Sequence, residues 1–196
     1  MTRGLRALAL ALLALGTACS SGSEKGAGEA PPGSKEDVAK AFGPAVDELG
    51  LRITRAGLVA RFGQRGYTAS GRHLAVYVEP KGPLGNDGYV ANLVPLARAF
   101  LPEVFDRFPH IETFDVCQEP PPGVDDRPEP RTFTQLVVHR DQAQALDWQR
   151  LDAASLMAAS RRAPSQLVLG GAPEVLSSPA WARASAQAVS PRPGGE

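Results

Sequence analysis

The sequence predicts an α+β domain: a mostly antiparallel sheet of about four strands with helices on one face, in the order αββαββα. Two observations carry this. In residues 71–80, Leu74, Val76 and Val78 alternate with His73, Ala75, Tyr77 and Glu79, and Pro80 closes the run, which is the period of a strand. Around this strand, stripes at helical spacing alternate with further strand-like runs. Strand pairs interrupted by helices argue for a sheet with its helices on one side.

The elements follow in order. Ser34, with Asp37 three residues on, has the pattern of a helix N-cap. Val38, Ala41, Phe42, Ala45, Val46 and Leu49 then form a helical stripe ended by Gly50, and Gly43-Pro44 is expected to kink it. A strand is expected within Leu51 to Gln64, where Leu58, Ala60 and Phe62 alternate with Val59 and Arg61. It forms an antiparallel hairpin with the strand of residues 71–80.

Val90, Leu93, Val94, Ala97, Leu101, Val104, Phe105 and Phe108 make the longest apolar stripe, with Asn86 or Asp87 as its cap. Pro95 and Pro102 inside it predict a kinked or segmented helix. Residues 111–117 read as a strand with Phe114 and Val116 on one face and Thr113, Asp115 and Cys117 on the other. Residues 119–131, rich in Pro, Asp and Glu, read as a long surface loop.

The next strand, 132–139, places Leu136 and Val138 on one face and Phe133, Val137 and His139 on the other. Residues 141–163 are helical by composition, with Asp147 or Asp152 as cap and Trp148 packing at the sheet edge. Leu167 to Leu169 suggests a short extra strand. Ser178-Pro179 opens a last helix.

The N-terminus gives an address. Arg3 and Arg6 precede a short apolar run and a small-residue exit, the layout of an export signal and too short to span a bilayer. Leu15-Gly16-Thr17-Ala18-Cys19, followed by Ser20 and Ser21, resembles the lipobox of bacterial lipoproteins. The resemblance covers only the first two dozen residues. It implies cleavage before Cys19, lipid (palmitate among it) on that residue, and a chain anchored to the outer leaflet or envelope of a bacterial cell. Gly16 stands where that family usually has Leu, and Gly16-Thr17-Ala18 also fits an ordinary cleavage site. The expected organisation is a signal at 1–18, a Gly/Ser/Pro tether at 19–33, one domain at 34–189 and a tail at 190–196.

Composition excludes more than it assigns. The net charge is zero for the 196 residues and no basic patch interleaves with aromatics, so a nucleic-acid partner is not expected. There are two cysteines; with Cys19 lipidated, Cys117 is a lone thiol. No catalytic, P-loop or metal motif occurs, and His73, His110 and His139 have no metal-ligand spacing. Neither a metal nor a cofactor is expected.

One constellation follows from strand parity. If Leu74, Phe114 and Leu136 face the helices, then His73, Tyr77, Asp115, Cys117 and His139 share the opposite face. A thiolate activated by His73 or His139 is the weak catalytic candidate there. The plainer reading is a solvated face of polar side chains. Glu119, Asp125, Asp126 and Glu129 suggest a cation loop, but the Pro and Arg residues among them spoil calcium spacing.

Three readings follow. The first is a membrane-tethered binding or accessory module with a possible envelope protein partner. The second is an exported thiol enzyme using Cys117. The third is a carrier with an apolar cavity of about 300 Å³ or more between sheet and helix.

Overall fold

The computed structural model describes residues 30–124 and 131–189. Cys19, with the signal and most of the tether, lies outside the described residues, as do Asp125, Asp126, Glu129 and the tail.

Helix α1 (Lys35–Glu48) starts where Ser34 and Asp37 fix it. Ser34 Oγ accepts the Asp37 N–H, and Asp37 Oδ2 accepts the Gly33 N–H at 2.9 Å. Pro44 lies inside the helix, which continues through it as one element. Gly50, at φ 70°, turns the chain out of the helix.

Strand β1 (Leu51–Val59) therefore begins at once, earlier than the Leu58, Ala60 and Phe62 alternation suggests. Ala60 and Phe62 lie exposed beyond its end. It pairs antiparallel with β2 (His73–Pro80), as expected. Near its middle the register shifts between Ile53 and Arg55, which leaves Thr54 as an extra residue opposite Tyr77.

The long apolar stripe divides into α2 (Asn86–Ala91), α3 (Leu93–Phe100) and α4 (Val104–Arg107). The proline positions explain where. Pro95 is the third residue of α3, where a backbone N–H has no helical partner to lose, and Pro102 follows the last turn. Gly85, not Asn86 or Asp87, occupies the N-cap of α2. The Asp87 carboxylate reaches elsewhere: Oδ1 accepts the Ala180 N–H at 2.9 Å.

Strand β3 (Thr113–Gln118) runs parallel to β2. The three helices carry the chain back to the end where β2 began, as a parallel join requires. β4 (Thr134–His139) and β5 (Leu167–Gly171) add antiparallel neighbours, giving a mixed, mostly antiparallel sheet in the order β1-β2-β3-β4-β5. The fold is α+β, with five strands among the described residues where about four were expected. The element order is longer than αββαββα, because α5 (Arg140–Ala145) and α6 (Ala153–Arg162) precede β5, and α7 (Pro173–Leu176) and α8 (Pro179–Val189) follow it. Asp152 caps α6 by accepting the Ser155 N–H. Ser178 Oγ accepts the Trp181 N–H at the start of α8.

One core lies between sheet and helices. Leu74, Val76, Phe114, Val116, Leu136 and Val138 meet Val38, Phe42, Leu96, Phe100 and Leu156 there. The Phe100 ring sits 4.9 Å from Phe42 and 5.2 Å from Phe114. Each such side chain contributes about 1.5–3 kcal/mol by leaving water.

Phe133 departs from its expected face. It lies before the first residue of β4, so strand parity does not govern it, and its ring stacks on Tyr89 of α2 at 4.7 Å and 9°. Below it, Gln118 and Thr134 occupy core-side positions. Gln118 Nε2 donates to the Tyr89 carbonyl at 2.8 Å and to Thr134 Oγ1.

Candidate functional site

Strand register lays out the second face of the sheet in three rows. Val59, His73, Thr113 and His139 form one row; Gly57, Ala75, Asp115 and Val137 the next; Arg55, Tyr77, Cys117 and Gln135 the third. The expected sharing of a face by His73, Tyr77, Asp115, Cys117 and His139 therefore holds.

The same register separates the candidate thiol from its bases. His73 and His139 both flank Thr113, four residues down β3 from Cys117. At strand rise this is about 13 Å, far beyond hydrogen-bond reach. Cys117 Sγ instead lies 3.8 Å from Asp115 Oδ2. Burial, reinforced by the Asp115 carboxylate, pushes the Cys117 thiol well above its ordinary value. A thiol held protonated with no imidazole beside it is a poor nucleophile, so the structure does not assemble a Cys–His pair.

His73 belongs to a different arrangement. Its Nδ1 is 2.8 Å from Thr113 Oγ1, its Nε2 is 3.5 Å from Asp115 Oδ1, and the Phe62 ring meets its edge at 5.3 Å. Asp115 Oδ2 accepts from Gln135 Nε2 at 2.7 Å. His73 and Asp115 are only 2% and 3% exposed, so this polar string is an interior one. His110 and His139 line a separate hollow of about 490 Å³ with Arg140, at the Thr113 end of β3. Arg140 there donates to the carbonyls of Phe105, Phe108, Pro109 and Ile111. Among the described residues, no three His, Cys, Asp or Glu side chains converge as metal ligands.

The opening on the second face lies one row further up. Glu119, expected in a solvated loop, is 2% exposed. Its carboxylate pairs with the Arg55 guanidinium and accepts from Thr54 Oγ1 at 2.9 Å. The extra residue in β1 is what allows two successive side chains, Thr54 and Arg55, to reach one carboxylate. Burial works against the Arg55 charge, but the hydrogen bond and charge of Glu119 outweigh it and hold the guanidinium above its ordinary value. The guanidinium also lies 4.0 Å over the Tyr77 ring. Burial, with Cys117 and Asp115 adding to it, pushes the Tyr77 hydroxyl up to about 12.

The other wall is the connection between β1 and β2, residues 60–72. It is an ordered loop: the Thr68 N–H donates to the Leu58 carbonyl at 2.8 Å, and the Arg72 N–H to Ala60 at 3.3 Å. Gly63 and Gly66 take the left-handed turns, at φ 80° and 89°. The Tyr67 ring folds back over Gly57, where a Cβ would come within 2.2 Å of it. Arg55, Gln64, Arg65, Tyr67, Tyr77 and Thr132 together line a cleft of about 380 Å³.

Sequence reasoning missed Arg55, Glu119 and Tyr67 as cleft residues. Arg55 is hidden by the strand irregularity, Glu119 by its place in a proline-rich run, and Tyr67 by its place in a turn. Comparison of the chain with protein-family models, with curated proteins and with solved structures finds no match.

Proposed function

We propose that the chain is a membrane-tethered lipoprotein of the cell envelope, held by a lipid on Cys19, and that its domain acts as a binding module. The cleft between the sheet and the loop of residues 60–72 is its binding surface. The observation that supports this best is the construction of the cleft. Its polar wall is held in place by Glu119, Thr54 and Tyr77, so a ligand meets groups that are already ordered, which lowers the cost of binding. The thiol-enzyme reading draws no comparable support, because Cys117 has neither His73 nor His139 beside it and its thiol is held protonated.

The test is crosslinking in native membranes from a photoreactive residue at Thr132, in the cleft, against one at Leu176, exposed elsewhere. A stoichiometric partner joined at position 132 alone is the expected result. Equal, diffuse labelling from both positions would remove the cleft as the binding surface.

A further inference from the structure

We propose that the loop of residues 60–72 is a second membrane contact that lays the domain against an anionic lipid surface beside its anchor. This rests on the lipid-anchored reading of Cys19 and specifies how the anchored domain is oriented.

Charge is the first support. The loop carries Arg61, Arg65 and Arg72 and no acidic residue. Arg72 pairs with Glu112, whereas Arg61 and Arg65 have no carboxylate partner among the described residues. The same loop exposes two aromatic rings, Phe62 at 46% and Tyr67 at 55%. Unpaired arginines beside half-exposed rings suit a layer of anionic headgroups over acyl chains, where arginines meet phosphate and aromatics sit at the boundary. The ladder hydrogen bonds and the two left-handed glycines already order the loop, so docking it costs little further entropy.

Position is the second support. Pro31 and Pro32, among the first described residues, line a groove of about 330 Å³ with Tyr67, Thr68 and Ala69. Gly33 is pressed so closely onto Leu58 that a Cβ would come within 2.9 Å of it. The chain leading back to Cys19 thus departs beside this loop. Cys19 and Ala30 are eleven residues apart. Even fully extended they span at most about 40 Å. Anchoring therefore makes the meeting of loop and headgroups intramolecular, and a contact that is weak and salt-sensitive from solution becomes well populated on the anchored chain.

The test uses the mature chain carrying Cys19→Ser, which cannot be lipidated. It is sedimented with vesicles of phosphatidylcholine alone and of phosphatidylcholine mixed with phosphatidylglycerol. Binding to the mixed vesicles only, and its release by salt, are expected. The double variant R61E/R65E is expected to lower partitioning at least about tenfold, since each arginine at such a surface is worth roughly a factor of five. Phe62→Ser lowers it as well. Both variants should keep the circular dichroism of the parent, because the two arginines are exposed and Phe62, whose ring touches His73 at its edge, is 46% exposed beyond the end of β1. Equal binding to neutral vesicles, or unchanged binding of R61E/R65E, would overturn the proposal. So would crosslinks from position 61 that reach protein and never lipid. The anchor is read separately from the intact mass of the wild-type chain extracted from membranes. An acylated chain with an inert loop removes only the loop contact; an unacylated chain that binds anionic vesicles removes only the anchor.

Discussion

The guanidinium of Arg55 lies 4.0 Å above the ring of Tyr77 and pairs at the same time with the carboxylate of Glu119, which is 2% exposed. One side chain thereby ties β1 to β2 and to the segment leaving β3. Arg55→Ala strands a buried carboxylate, a loss that costs several kcal/mol in a dry interior. The Arg55 side chain is 38% exposed, so solvent screens the pair. The expected cost is therefore nearer 1–3 kcal/mol by these rules, roughly. Urea unfolding measures it, and adding Glu119→Gln to the same chain should recover part of the loss.

Stability should fall in alkali through Cys117. Its thiol holds its proton more tightly folded than unfolded, so its contribution is fully present below the ordinary thiol value. Above that value the unfolded chain releases the proton and the folded chain does not, and stability declines by up to about 1.4 kcal/mol per pH unit. Tyr77, raised to about 12, extends the decline from about pH 10 upward. Unfolding midpoints at pH 7, 8, 9 and 10 should therefore drop, and Cys117→Ala should flatten the drop between pH 8 and 10. The native thiol should also resist a disulfide reagent that reacts at once with the unfolded chain.

Two glycines make different demands. A Cβ at Gly57 meets the Tyr67 ring at 2.2 Å, and a ring on a loop is able to swing away. A Cβ at Gly71 meets the Val59 carbonyl oxygen at 2.2 Å, and that backbone belongs to a strand. Gly57→Ala should cost about 1 kcal/mol and speed proteolysis of the loop, while Gly71→Ala should cost about 2–3 kcal/mol. Equal costs would contradict the difference in what yields.

Asp87 caps a helix other than its own. Its Oδ1 accepts the Ala180 N–H, and its Oδ2 stands 3.7 Å from Arg183 in the same helix. Asp87→Ala should cost about 0.5–1.5 kcal/mol in thermal unfolding, with Asp87→Asn retaining most of the stability. A loss confined to α2, with hydrogen exchange in α8 unchanged, would show that the cap carries nothing.

These relationships mark where the sequence was legible. Alternation in β2, β3 and β4 set the two faces correctly, because regular ladders preserve parity and Leu74, Phe114 and Leu136 point the same way. Pro95 and Pro102 located the breaks in the long stripe, because a proline in the first turn or just past the last removes no helical hydrogen bond, whereas Pro44 sits within α1 without ending it. The placement of Cys117 away from His73 and His139 was not legible, since parity reports the face of a residue and not its distance along a strand. Nor was the parallel pairing of β2 with β3, which is a property of the crossover and not of either strand. The cleft escaped for a similar reason: Thr54 shifts the register of β1 by one residue, and the carboxylate that exploits the shift lies 64 positions away from Arg55.

The parallel seam between β2 and β3 also orders events in time. The antiparallel pair β1 and β2 can close from the loop between them. The central seam has no turn to start from: residues 81–112 must loop back before any of its hydrogen bonds form. Closing that loop costs chain entropy in advance of any reward, so the seam is the slow step of assembly. Weakening Val76 or Val116, which face each other across it, should slow refolding, whereas an equal loss at Ile53 should chiefly speed unfolding. Until the seam closes, both interior strands present unpaired edges, and this protein is most exposed to self-association during that interval.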